Sequence, residues 1–255
     1  MNVWTDFTDN TPKFWEGFWD RGAGLGAGGA DPDSKCIIAR NYHQQLWSKK
    51  LPNGQIMKLE SGRSRFYLRW NGIYFGSDSI TASFRYYNNR KLLQQVAEKV
   101  GDYKSFVEYY LRKLYTIGGL MLFPSGPHME GMNCARGCNA YIKDRWDLTL
   151  ECIRMYYDDE GRDINPLRKV FYEAEHTPNK KFFDLFIDFK GFVDFFLLQD
   201  CVDENYRVVK WYDTPLFESN PIPKDVDSYL SFIQKELDFV ERRNIRIEET
   251  FNNEG

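Results

Sequence analysis

Histidine is scarce in this chain: three in 255 residues, at positions 43, 128 and 176. With so few imidazoles the sequence offers no spacing for a structural zinc site, and no metal is expected. Five cysteines stand at 36, 134, 138, 152 and 201. Their odd number and irregular spacing exclude a disulfide scaffold and fit reduced thiols in a cytoplasm. Cys134 and Cys138 are four apart, but no second pair follows. Neither sign of charge dominates. A formal net charge of −3 argues against a protein that coats nucleic acid electrostatically, leaving only a local basic patch to consider. Apolar runs fall short of a membrane span and contain charges, so no membrane is expected. The N-terminus has no basic region ahead of an apolar run, which argues against a signal peptide and for a cytoplasmic location. No nucleophile triad, metal motif or cofactor motif is recognisable, so no cofactor is expected.

Hydrophobic residues make up 42% of the chain and aromatics 17%, enough for a substantial core. Residues 1–20 are crowded with rings: Trp4, Phe7, Phe14, Trp15, Phe18 and Trp19. So many rings fit packing onto a surface better than exposure to water. A glycine-rich run follows, Arg21 to Gly29. It has a dinucleotide-type glycine pattern without the preceding strand or following helix that such a pattern needs, so it reads as a loop. Asp31-Pro32-Asp33-Ser34 reads as a turn or helix start, and a short helix through Tyr42, Leu46 and Trp47 follows. Strands are expected at Gln55–Leu59, Arg65–Trp70 and Ile73–Phe75. Asn71-Gly72 forms the hairpin between the last two, and Ser77-Asp78-Ser79 closes the meander.

Beyond this the pattern turns helical, at Leu92–Val100 and Tyr103–Tyr115, where Phe106, Tyr110 and Leu114 recur at helical spacing. Thr116–Pro124 reads as a buried strand or irregular apolar segment. Residues 125–139 read as a long loop. Further helices are expected at 143–157, 166–174, 180–187, 190–200 and 225–243, with a strand at Val208–Tyr212. Phe182, Phe183, Phe186, Phe189, Phe192, Phe195 and Phe196 are too dense for anything but core. The expected architecture is α+β in one domain over 1–255. After an aromatic and glycine-rich segment (1–30), an α/β part with the hairpin (31–90) carries a small N-terminal antiparallel β-meander. That meander packs on a larger, mainly helical part (91–247).

Several phrases together resemble a known family. They are Tyr42-His43-Gln44-Gln45-Leu46-Trp47-Ser48-Lys49-Lys50-Leu51-Pro52-Asn53-Gly54, the 143–157 segment, Thr116-Ile117-Gly118-Gly119 and the loop of Asn133, Arg136 and Gly137. Phe189–Asp200 and Arg242–Ile247 fit as well. The chain is similar to a family of bacterial and phage-borne proteins known as a domain of unknown function, over about Asp31 to Ile247. The resemblance implies a shared fold and supplies no activity, so no catalytic residue is carried over. Cys134 stands where the family pattern has glutamine, and Met155 where it has arginine.

Two polar groups are candidates for chemistry. The first gathers Arg136, Arg145 and Arg154 with Asn133 and Arg112. Guanidinium groups grip phosphates or carboxylates in bidentate fashion. Asp147 and Glu151 lie four apart and Arg154 three further on, near one helix face, where they would orient the arginines or receive hydrogen bonds from a ligand. The alternative is an internal salt-bridge network tying loop to helix. The second candidate is His43 with Lys49 and Asp78, a histidine able to move a proton near neutrality. Its alternative is a packed, hydrogen-bonded residue sharing a helix face with Trp47. Asp184, Asp188, Asp194, Asp200 and Asp203 read as solvated surface, and Cys152 as an inert buried thiol. Arg242-Arg243-Asn244-Ile245-Arg246 is the most basic cluster, at a predicted helix end.

Two functions remain open. One is a protein that binds, and processes, a small anion such as a nucleotide. Arg136, Arg145 and Arg154 would hold the anion, with His43 or Glu151 moving a proton. The other is a non-enzymatic interaction or regulatory protein, phage- or defence-related, docking on a protein partner or a second copy through its aromatic N-terminus.

Overall fold

Asn71 and Gly72 both adopt positive φ, 46° and 75°, the two-residue turn whose twist matches that of paired strands. They join β2 (Leu68–Trp70) to β3 (Ile73–Ser79), with Trp70 opposite Ile73. This computed structural model describes residues 1–20, 31–62, 68–80, 90–125, 131–159, 161–172 and 178–253. Its four described strands form one antiparallel sheet in the order β1-β2-β3-β4, where β1 is Glu60–Ser61 and β4 is Leu120–Pro124. Most of the helices follow the sheet in the chain, so the arrangement is α+β.

The sheet differs from the sequence reading in two places. Gln55–Leu59 does not form a strand and makes only a single bridge, Lys50 to Ile56. Ser77-Asp78-Ser79 does not close the meander but continues β3, because Leu120–Phe123 pairs along it from Ser79 to Gly76. Along β3, Ile73, Phe75, Ser77 and Ser79 turn inward while Tyr74 turns out. The inward serines explain why this half of the strand lacks an apolar alternation. The expected start of β2 before Leu68 lies outside the described residues, as does the glycine run 21–30.

Helices α1 (Phe14–Asp20), α2 (Pro32–Lys35) and α3 (Ile37–Trp47) precede the sheet. Between β3 and β4 lie α4 (Arg90–Val100) and α5 (Tyr103–Leu114), the latter capped by the Asp102 carboxylate on the Ser105 N–H. The expected loop at 125–139 contains α6 (Met132–Gly137). Then come α7 (Trp146–Tyr157), α8 (Arg168–Phe171), α9 (Pro178–Phe183) and α10 (Phe189–Phe196). A 28-residue α11 (Val226–Asn253) ends the described chain, ten residues longer than expected past Arg243. The Val208–Tyr212 strand does not form; Val208 makes one bridge with Val202. Among the described residues no helix is long and apolar enough to cross a membrane.

The phenylalanines of α9, α10 and the turn between them pack ring against ring, Phe182 on Phe186 at 5.0 Å and Phe192 on Phe196 at 5.1 Å, as core. At the N-terminus Val3, Phe7, Phe14 and Phe18 are buried. Arg112 of α5 fastens this segment, pairing with Asp6 at 2.7 Å and Asp9 at 2.6 Å and lying 5.0 Å over the Trp15 ring. Trp19 Nε1 donates to Glu108 at 3.0 Å. Trp4 remains 39% exposed under Lys113.

Candidate functional site

Arg145 stands just before α7 and is fully buried. Its Nε donates to Asp147 Oδ1 at 3.0 Å and its Nη2 to Asp147 Oδ2. Nη1 serves Thr214 Oγ1 at 3.1 Å and the Pro221 carbonyl at 2.8 Å, and Nη2 also serves the Tyr212 carbonyl at 2.8 Å. These bonds engage the whole donor set of a guanidinium. Asp147 Oδ2 in turn accepts the Trp211 N–H at 2.9 Å. Arg145 and Asp147 therefore staple the 211–221 segment onto α7.

Arg136 of α6 is 1% exposed. It reaches Asp78 Oδ2 and Asp144 Oδ1, each at 2.7 Å, the Ser79 carbonyl at 3.1 Å, the Asp144 carbonyl at 3.0 Å and Thr149 Oγ1 at 3.2 Å. Its surroundings hold two further carboxyls, Asp31 and Asp33, that the sequence marked only as a turn. Asp33 Oδ2 accepts the Ser79 N–H at 3.0 Å, while its Oδ1 is buried and, among the described residues, has no hydrogen-bond partner. Tyr115 donates its hydroxyl to Asp31 at 3.3 Å. Burial, then the charge of Asp78, pushes Asp31 up to about 6. Burial, then Asp31 and Asp78, holds Asp33 well above the carboxylate range. Asp78 is raised by burial against the pull of Arg136.

His43 is also fully buried. Its Nδ1 accepts the Trp47 Nε1–H at 3.0 Å, and its Nε2 meets Ser77 Oγ at 2.9 Å. Burial, helped by the charge of Arg243, depresses its pKa to about 3, so the ring is neutral. Lys49 is not gathered with His43 and Asp78: its ammonium lies 4.8 Å from the Phe195 ring centre and 5.2 Å from that of Trp47, while Asp78 pairs with Arg136. Arg112 is at the N-terminal segment, away from the other arginines. The side chain of Asn133 lies outside the described residues. Cys152 is buried, and burial pushes its thiol well up.

Of the three helix-region arginines, Arg154 lines a cavity among the described residues. Its guanidinium clasps Glu151 through two bonds of 3.0 Å and also meets Asp158. With Glu151 it lines a cavity of about 400 Å³ closed on the other side by Arg207, Val208 and Lys210. A neighbouring cavity of about 360 Å³ shares Arg154 and Arg207 and continues past Asp158 to Lys190. Lys210 Nζ donates to the Thr214 carbonyl at 2.9 Å. Arg207 is exposed, and among the described residues its guanidinium has no hydrogen-bond or ion-pair partner. Arg207 and Lys210 escaped the sequence reading because they belong to an irregular segment, where no period ties them to α7. Among the described residues no group of three or more His, Cys, Asp and Glu side chains is arranged to hold a metal ion.

With this geometry in hand, the profile of a family of unknown function, DUF6994, matches residues 4–247. No curated protein and no solved structure matches the chain.

Proposed function

Since the chain belongs to the DUF6994 family, which carries no assigned activity, we propose from the geometry that it binds a small phosphate-bearing anion of the nucleotide class in the groove between α7 and residues 207–216. One observation carries this reading. Arg207 presents a guanidinium that no protein group neutralises among the described residues, on a cavity that also receives Arg154 and Lys210. Three cations and two carboxylates line it, and both carboxylates are already clasped, Asp147 by Arg145 and Glu151 by Arg154. A planar fork left open at a cavity wall is suited to an oxyanion.

The buried arginines then support the groove without touching the ligand. Arg145 and Asp147 hold the 211–221 segment that follows Lys210, and Arg136 ties α6 to β3 and α7. Glu151 is the carboxylate through which proton transfer at a bound ligand would run. His43, sealed in the core with both nitrogens engaged, contributes packing. Docking through the aromatic N-terminus is less favoured, because most of those rings turn inward.

Isothermal titration with AMP, ATP and inorganic phosphate tests the reading. Saturable binding is expected, and Arg207→Ala should weaken it by about 1.5–3 kcal/mol, the worth of a hydrogen bond to a charged group, without lowering the melting temperature. Equal binding by wild type and variant, or no binding of any of the three, refutes it.

A further inference from the structure

Ile187 has φ 69° and ψ −56°, between the 3-10 turn Asp184–Phe186 and α10. The Asp188 N–H donates to the Phe186 carbonyl at 2.8 Å, closing a three-residue γ-turn of the rare, strained form. A β-branched residue is among the worst suited to positive φ, and glycine would make the same turn without the clash. Burial does not repay this strain, since Ile187 is 64% exposed. Held strain on an exposed apolar residue points to a role at a surface.

The surface it borders is a third cleft, of about 430 Å³, walled by Tyr156, Tyr157, Phe171 and Tyr172. Tyr156 stacks on Phe171 with ring centres 4.9 Å apart, and its hydroxyl donates to Asp184 at 2.6 Å. Lys180 pairs with the same carboxylate at 2.6 Å. Arg162 spreads its guanidinium 4.5 Å over the Tyr172 ring. The Tyr172 hydroxyl is shut away from solvent and, among the described residues, has no hydrogen-bond partner, so Tyr172 offers the cleft its ring rather than its hydroxyl. The charges of Arg162 and Lys180 offset those of Asp159 and Asp184 around the cleft. Aromatic walls, a stacking guanidinium and hydrogen-bonding carboxylates with no net charge do not select an anion. They suit a flat, uncharged ring whose face stacks and whose edge offers N–H groups.

We propose that this cleft binds a planar heteroaromatic ring of the nucleobase type, with Ile187 fixed as the apolar ledge against one side of the ring. The site is separate from the Arg207 groove and does not depend on it.

Adenosine, which carries no phosphate, is the probe, titrated into the full chain by isothermal calorimetry and by NMR of the tyrosine side chains. Wild type should bind it at millimolar concentration or better, with shifts at Tyr156 and Tyr172. Ile187→Gly should melt higher than wild type, the strain being gone, yet bind adenosine several-fold more weakly. Tyr172→Ala should weaken binding about tenfold through lost stacking. Arg207→Ala should leave adenosine binding unchanged. Absence of binding to wild type overturns the proposal, as does Ile187→Gly binding as well as wild type. Loss of adenosine binding in Arg207→Ala would assign the ligand to the groove and overturn it equally.

Discussion

His43 and Asp33 make the stability of this protein depend on pH in opposite senses. The folded state keeps His43 neutral, with a pKa near 3 against 6.5 for a free imidazole. The unfolded chain therefore takes up a proton first, and the histidine's contribution is complete above 6.5 and declines as pH falls from there toward 3. Asp31 and Asp33 do the reverse. Their folded pKa values are raised, to about 6 for Asp31, so the fold prefers their protonated forms and loses that preference as pH rises from 3.8 upward. Denaturation midpoints from pH 4 to 8 separate the two. Asp33→Asn removes the titration and keeps an acceptor for the Ser79 N–H, so its stability relative to wild type should grow with pH. His43→Gln should cost about 1–3 kcal/mol at pH 7 through the buried Trp47 N–H that loses its acceptor, and should flatten the decline below 6.5. Parallel curves for wild type and both variants would show that neither group titrates as described. The His43–Trp47 contact was legible as a pair four apart on one helix. The Asp33 environment was not, because its partners arrive from β3 and α6, far along the chain.

At the scale of elements, spacing located α7 but not the partners of its charges. Asp147, Glu151 and Arg154 do fall near one side, yet Asp147 turns to Arg145 and the buried 211 segment while Glu151 and Arg154 clasp each other at the surface. The Asn71-Gly72 hairpin was readable because its chemistry is local; the β3–β4 pairing was not, since it closes over the whole of α4 and α5. The N-terminal segment shows how a local signal acquires meaning from its partner. Its rings announced burial, and α5 supplies the surface and the Arg112 clamp. Arg112→Ala should lower stability by no more than about 1 kcal/mol, since the pairs are partly exposed, while raising amide hydrogen exchange between Thr5 and Trp19. Unchanged exchange there would mean that the buried rings alone hold the segment.

Across the whole molecule, the Thr116–Gly119 phrase and the Arg243–Asn244 phrase form one joint. Arg243 Nη1 donates to the Gly118 and Leu120 carbonyls, both at 2.9 Å, and Nε to the Phe196 carbonyl at 3.1 Å, so α11 grips the start of β4 and the end of α10 together. Asn244 accepts the Gly118 N–H at 2.7 Å and donates to Thr116 Oγ1 at 2.8 Å. A Cβ on Gly118 would come within 2.5 Å of the Val240 carbonyl, which is why glycine stands there. Burial draws the Arg243 pKa down to about 10, so its charge persists at neutral pH, held by carbonyl dipoles and set 5.8 Å from the Trp47 ring centre. The basic run at 242–246 is thus not one patch. Val240, Arg243, Asn244 and Ile247 recur at helical spacing and are buried, while Arg242 and Arg246 turn to Asp200 at the surface. That split was present in the sequence, hidden only because charge was read before period. It predicts unequal consequences. Arg243→Ala removes the hydrogen bonds to three carbonyls at the meeting of α11, α10 and β4 and should cost about 3 kcal/mol or more. Arg242→Ala and Arg246→Ala should each cost about 1 kcal/mol or less. Urea denaturation of the three variants decides it: equal, small losses would mean that α11 is held by its apolar face alone and that the joint contributes no more than its packing.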